Sequence, residues 1–137
     1  MRTIMIMALL SVGSLVADVI PDKVKLQNQN VVKMAAEGLS KELPKKVDAF
    51  TQLISIKAKE ETLFYTFEIN ATQSDDAIIK KDKTRMKKAV TQGICKSSKR
   101  FLQSDITISY IYTSAKSAKK LFQFDVNKTA CDYPPEL

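Results

Sequence analysis

The first seventeen residues of the chain decide which part of it has to fold and in which compartment. Arg2 is followed by an apolar run over residues 4–16 and then by the small residue Ala17. A charged start, a short apolar core and small residues at the exit are typical of a secretory signal peptide. We predict that residues 1–17 are a signal peptide, cleaved after Ala17 or a few residues earlier, and that the mature protein is periplasmic or secreted.

Two other interpretations of this run remain open, an uncleaved membrane anchor and a buried N-terminal helix. An anchor would need roughly twenty apolar residues to cross a bilayer, whereas this run spans about thirteen. The remaining chain, residues 18–137, is long enough for one domain with a single core and too short for two. We therefore predict one domain that has no transmembrane segment once the signal peptide is removed.

Apolar periodicity predicts a first helix that is capped by Asn30 and ends at Leu43-Pro44, with residues 18–28 as a lead-in. Pro44 ends the helix because its ring disfavours a helical conformation of the preceding residue. The apolar positions expected to face the core are Val31, Met34, Ala35, Leu39 and Leu43.

Four later segments alternate apolar and polar residues with the period of a β-strand. Lys59-Glu60-Glu61 is a polar turn between the first two, and residues 114–120 connect the last two, so that the strands form two hairpins. We interpret the aromatic side chains on their apolar faces as core residues. The apolar residues of the four predicted strands, in chain order, are Phe50, Ile54, Ile56 and Ala58; Leu63, Tyr65, Phe67 and Ile69; Ile106, Ile108, Tyr110 and Tyr112; and Phe122, Phe124 and Val126.

A second helix is predicted between the hairpins. Ser74-Asp75-Asp76 offers a capping oxygen and negative charge at its start. We expect the helix to fray near Gly93 and to be followed by a short extra turn that packs Phe101 and Leu102. Its apolar stripe is Ile79, Met86, Ala89, Val90 and Ile94.

These elements predict an α+β fold class. Two hairpins that each present one apolar face can join into a four-stranded antiparallel sheet packed on helices, which gives a two-layer αββαββ arrangement. This order of elements is similar to that of cystatin-like domains.

Cys95 and Cys131 lie at the end of the second predicted helix and just beyond the last predicted strand. Because cysteines of exported proteins can pair, we predict a disulfide between them; two unpaired cysteines are the alternative. A redox-active pair is disfavoured because the two residues do not form a CxxC motif. A zinc site is disfavoured because the chain has no histidine. No metal or other cofactor is predicted.

Catalytic chemistry has few candidates in this sequence. The absence of histidine removes the commonest general base near neutral pH. The adjacent carboxylates Asp75/Asp76 and Glu60/Glu61 could act as acid and base, but a helix cap and a turn are the simpler interpretations. With three glycines there is no glycine-rich phosphate loop. We predict that the chain is not an enzyme.

Positive charge is concentrated in one segment of the second helix. The full chain has a net charge of +7, from 22 basic and 15 acidic residues, and loss of Arg2 leaves +6. The simplest interpretation of the segment is a solvated helix face; the other is a contact with an acidic protein or an anionic envelope surface. Export argues against nucleic acid as a partner. The lysines concerned are Lys80, Lys81, Lys83, Lys87 and Lys88.

Three segments and the two cysteines resemble a group of small exported bacterial proteins to which no activity is assigned. The segments are Leu43–Asp48, Thr62–Ile69 and Ile106–Tyr112, so the likeness extends over about residues 43–131. The resemblance implies a periplasmic α+β domain and supplies no catalytic residues.

Two functional classes remain. The first is a non-enzymatic binding or accessory protein of the bacterial envelope that uses the open face of the sheet, an edge strand or the lysine-rich helix. An inhibitor or immunity protein against an acidic target belongs to this class. The second is a small hydrolase that uses carboxylates in a cleft. We favour the first class, with the partner unidentified.

Mass spectrometry of the protein purified from the cell envelope tests both the signal peptide and the disulfide. We expect a mass that lacks residues 1–17 and that increases by two hydrogens on reduction. Full-length protein in the cytosol with two free thiols would contradict both predictions.

Overall fold

The computed structural model describes residues 16–135. All but the last two residues of the predicted signal peptide lie outside this range, so the signal peptide stays a prediction. Within the described range, no helix combines the length and the apolar character that a membrane span requires. The elements in chain order are α1 (Val16–Ser40), β1 (Lys45–Lys46), β2 (Thr51–Lys59), β3 (Thr62–Ile69), α2 (Asp75–Ser97), α3 (Lys99–Gln103), β4 (Thr107–Ser114), β5 (Lys120–Val126) and a 3-10 turn (Lys128–Ala130).

The strands form one mixed sheet in the order β1-β2-β3-β4-β5. The central strands β3 and β4 are parallel, and all other neighbours are antiparallel. Parallel neighbours need a crossover connection, which α2 and α3 provide here. The predicted α+β class is confirmed, whereas the predicted sheet is wrong in its strand number and in the direction of its central pair. The cystatin-like order is accordingly not matched.

A β-bulge in β2 decides which of its side chains reach the core. Leu53 and Ile56 are three residues apart, yet they pair with residues two apart on β3 because the register shifts between them. The extra residue therefore brings Leu53 and Ile56 onto the same face, where both pack against the core. The predicted core positions Phe50 and Ile54 are wrong, since both side chains are exposed.

Helix α1 is longer than predicted and buries a different face. It begins at Val16, so Asn30 lies inside the helix and does not cap it. The buried positions are Asn28, Val32 and Ala36, which recur every four residues along one face. Of the predicted core residues, Val31, Met34 and Leu39 are exposed, Met34 by 71%. Ala35 and Leu43 are partly buried and pack against the core as predicted.

The buried face of α1 begins with a polar residue, which explains why apolar periodicity does not find it. The Asn28 side-chain amide donates hydrogen bonds to a Glu61 carboxylate oxygen and to the Ser104 carbonyl, both at 2.8 Å. These bonds compensate the burial of the amide and tie α1 to the β2–β3 turn and to the end of α3.

Aromatic side chains form a continuous row across β3, β4 and β5. The rings of Phe67 and Tyr112 are stacked with centroids 4.8 Å apart, and Tyr112 lies 5.1 Å from Phe122. Such pairs contribute about 0.5–1.5 kcal/mol beyond the burial of their area. Phe67, Tyr112, Phe122 and Phe124 are buried, so the prediction that they form the core is confirmed.

Val32→Ala and Val31→Ala form a matched test of the assigned face of α1. Val32 is fully buried, while its neighbour Val31 is 37% exposed. We expect Val32→Ala to lower the free energy of unfolding by about 2 kcal/mol, because it removes two buried methyl groups. Val31→Ala should change it by less than about 0.5 kcal/mol. Urea unfolding followed by circular dichroism measures both; equal losses would show that the assigned face is wrong.

Candidate functional site

Helix α2 is anchored to the sheet at its first turn. The Ser74 hydroxyl accepts a hydrogen bond from the backbone N–H of Ala77 at 3.3 Å, so the predicted cap is confirmed. The Asp75 carboxylate accepts a hydrogen bond from the Ser117 hydroxyl, in the β4–β5 turn, at 2.7 Å. This bond holds the pKa of Asp75 below its usual value, with smaller contributions from the lysines of the same turn.

The other end of α2 is held covalently. A disulfide joins Cys95 to Cys131, whose Cα atoms are 5.7 Å apart, and so links α2 to the chain that leaves β5. The Tyr133 hydroxyl adds a hydrogen bond to the Cys95 carbonyl at 2.7 Å. The helix continues to Ser97, so the predicted fraying near Gly93 is wrong. With both ends fixed, α2 runs alongside β5 in the same direction.

The five lysines predicted to contact an anionic partner are all exposed on α2. Consecutive helix residues are rotated by about 100°, so the five lysines occupy an arc of roughly 160° on the outer half of the helix, with Lys81 near one edge of the arc and Lys83 at the other. Lys81 lines a cleft on one flank, whereas Lys83 and Lys87 line a groove beside β5 on the other. Lys80 and Lys88 line neither depression. The basic segment therefore supplies charge to two separate surfaces.

The larger depression, which we call the α2 cleft, has a volume of about 650 Å³. It opens between the first half of α2, the loop before β2 and the chain after β3. Phe50 is 60% exposed at its edge. An exposed aromatic side chain among other apolar groups is typical of an interaction surface. The apolar lining is Phe50, Ile69, Ala71, Ile78 and Met86.

Charged side chains line the same cleft. Arg85 is 74% exposed, and its guanidinium donates to the Asp82 carboxylate at 3.0 Å. Lys81 lies on the same wall, and Asp48 is on the wall formed by the loop before β2. The Asp48 carboxylate accepts a hydrogen bond from the backbone N–H of Phe50 at 2.8 Å, which fixes the loop that presents the ring. The cleft thus combines an apolar lining with two cationic and two acidic side chains.

Two of the four carboxylates considered for catalysis, Glu61 and Asp75, accept hydrogen bonds that hold elements of the fold together. Glu60 forms the tight turn between β2 and β3 with a φ of 53°, and Glu61 accepts the hydrogen bond from Asn28. Asp75 is bonded to Ser117, and Asp76 is exposed on the first turn of α2. Over residues 16–135, no three His, Cys, Asp or Glu side chains are grouped as metal ligands would be.

The sequence patterns do not reveal the α2 cleft. They assign Phe50 to a strand and Met86 to the core stripe of the second helix, and they include Arg85 only in a run of positive charge. The one available signal is the position of Phe50 before the bulged strand, beside the turn-forming Asp48.

Comparison with known sequences identifies one family. The profile of the family described as Domain of unknown function (DUF8479) matches residues 27–122. No curated protein sequence matches the chain.

Several solved structures share this fold at low sequence identity. A candidate secreted protein from Pseudomonas aeruginosa has a TM-score of 0.71 and 10% identity, over 79% of this chain and 96% of that one. The pilotin EpsS of the Vibrio vulnificus type 2 secretion system has a TM-score of 0.69 and 13% identity, over 82% and 99%. The type II secretion system pilotin AspS from Vibrio cholerae has a TM-score of 0.65 and 17% identity, over 81% and 98%.

Asp75→Asn tests the anchor at the start of α2. Folding lowers the pKa of Asp75 from 3.8, so its contribution to stability is present above that pH and is lost as the pH falls through the folded value. We expect Asp75→Asn and Ser117→Ala each to weaken the acid dependence of the unfolding free energy below about pH 4. Asp76→Asn is the matched control, since Asp76 does not bond to Ser117. Urea unfolding at several acidic pH values measures the effect; an unchanged acid dependence in Asp75→Asn would contradict it.

Proposed function

We propose that this chain, which belongs to the family Domain of unknown function (DUF8479), is a non-enzymatic accessory protein of the bacterial envelope that binds a protein partner in the α2 cleft. The observation that carries the proposal is the exposed Phe50 ring at the edge of an apolar cleft whose wall holds Lys81 and Arg85. The fold neighbours support an accessory role, because two of them are pilotins of type II secretion systems.

The chemistry of the cleft defines the partner. Anchoring residues of protein interfaces are commonly apolar or aromatic side chains in a desolvated pocket, surrounded by polar contacts. Phe50, Ile78 and Met86 provide such a pocket. The polar contacts come from Lys81 and Arg85, because the two carboxylates of the cleft are engaged within the chain, Asp82 with Arg85 and Asp48 with the backbone of Phe50. We expect an acidic segment that inserts an apolar side chain. The +6 charge of the predicted mature chain favours the approach of such a partner.

Two features that are typical of exported proteins support the envelope as the location. The apolar run at residues 4–16 is typical of a signal peptide, and the disulfide between Cys95 and Cys131 is typical of proteins in oxidising compartments. The proposed site of action is the periplasmic side of the envelope.

An anionic lipid surface is the other negatively charged partner that the exposed lysines of α2 could contact. A membrane would contact the lysines outside the cleft, Lys80 and Lys88, and would not depend on the cleft itself. The two partners are therefore distinguishable by position.

A photo-crosslinking residue at position 50, in cells that make the protein natively, tests the proposal. We expect a discrete protein adduct that forms from position 50 and does not form from Leu26, which is 60% exposed on α1. Lys81→Glu combined with Arg85→Glu should lower the adduct yield about tenfold, since both charges face the partner. Lys80→Glu combined with Lys88→Glu is the matched control with the same change in net charge and should retain the adduct.

Two outcomes would overturn the proposal. One is an adduct that forms equally from positions 50 and 26, and the other is an adduct with lipid alone. Circular dichroism of each variant verifies that it is folded.

A further inference from the structure

The strand β5 has an unpaired edge. It is the last strand of the sheet and pairs with β4, and among the described residues no other strand adjoins it. Over its seven residues, Lys120–Val126, every second residue directs its backbone N–H and C=O away from β4. Such an edge can accept an additional strand from another chain.

A basic groove lies beside this edge. Its volume is about 260 Å³, and it is bounded by Lys83, Lys87 and Thr91 of α2 and by Gln123, Phe124 and Asp125 of β5. The two lysines are four residues apart on a helix, which corresponds to about 6 Å along its axis. Side chains two residues apart on a strand are separated by about 6.6 Å. Because α2 runs along β5, the spacing of the lysines matches that of alternate residues on an added strand.

The opposite face of β5 has a different charge pattern. One Asp125 carboxylate oxygen accepts hydrogen bonds from the Ser109 hydroxyl at 2.5 Å and from the Gln123 amide at 2.9 Å. Ser109 is fully buried, so this small network holds Asp125 on the helix-free face. The Lys120 ammonium donates to the same Gln123 side chain at 3.2 Å, so the helix-free side of the edge carries one positive and one negative charge, whereas the helix side carries Lys83 and Lys87.

We infer that the edge of β5 binds an extended segment of a partner protein as a sixth strand, with acidic residues at alternate positions facing Lys83 and Lys87. The inference rests on the proposed role as a protein-binding accessory protein, but it uses the flank of α2 opposite to the α2 cleft. Backbone hydrogen bonds to β5 hold the segment, and the two lysines select its charge.

A second copy of this chain is a poorer occupant of the edge. The residues of β5 that face the helix layer are Phe122, Phe124 and Val126, which are apolar and buried. They offer no acidic groups to Lys83 and Lys87. Two copies joined through β5 about a two-fold axis would instead bring the lysines of both copies to one interface, where like charges repel.

A labelled peptide tests the inference without the native partner. The probe is a nine-residue peptide of alternating glutamate and valine with blocked ends, and fluorescence anisotropy with the mature protein measures its affinity. Lys83→Glu combined with Lys87→Glu should weaken binding about tenfold, whereas the matched pair Lys80→Glu and Lys88→Glu should change it less than about threefold. A peptide with glutamine in place of glutamate should also bind about tenfold more weakly.

Two further peptides test the added strand itself. N-methylation of all glutamates or of all valines removes alternate backbone donors, and one of the two sets faces β5. We expect one methylated peptide to lose about tenfold or more in affinity and the other to lose little. Hydrogen exchange of the β5 amides should slow when the unmethylated peptide binds.

Equal effects of the two methylated peptides, or equal effects of the two lysine pairs, would overturn the inference. A dimer that dissociates when the peptide binds would overturn it as well, because the edge would then be occupied by a second copy. None of these results depends on the adduct at position 50, so failure here is distinguishable from failure of the proposed function.

Discussion

The covalent link between Cys95 and Cys131 is the constraint on which the arrangement of the helix layer depends. The bonded cysteines are 36 positions apart. In the chain-entropy model, closing such a loop stabilises the folded state by about 4 kcal/mol. That is a large share of the 5–15 kcal/mol typical of a domain. The bond also fixes one end of a helix whose outer face is crowded with lysines. The Asp75–Ser117 hydrogen bond holds the other end.

Fixing α2 at both ends creates two surfaces of different character. On one flank, the helix, the loop before β2 and the end of β3 leave an apolar cleft with Phe50 at its edge. On the other flank, the helix lies above the unpaired edge of β5 and holds Lys83 and Lys87 beside it. The first surface suits an inserted side chain, and the second suits an extended backbone. The crossover that makes β3 and β4 parallel is the reason that one helix can border both.

The fold is shared with other proteins, whereas the side chains of the two surfaces are specific to this chain. At 10–17% identity, the solved neighbours share the fold of this chain while most of their side chains differ from its own. Function depends on sites built upon a fold, so Phe50, Lys83 and Arg85 have to be interpreted from their own surroundings. Their exposure, spacing and charge support the contact roles proposed for them, whereas Glu61 and Asp75 are engaged in holding elements together.

Local chemistry determined much of this protein by itself. Alternation in β3, the hydroxyl of Ser74 at a helix start and the two cysteines each specify a local structure, and the described residues contain all three. Tertiary contacts decided the rest. The direction of β4 depends on the path of the crossover, and the face that β2 turns to the core depends on one inserted residue. The buried face of α1 depends on the Asn28 amide, whose hydrogen-bond partners are 33 and 76 residues away. The cleft and the β5 groove are likewise formed by segments distant in sequence, and periodicity within a single segment cannot report which other segment lies beside it.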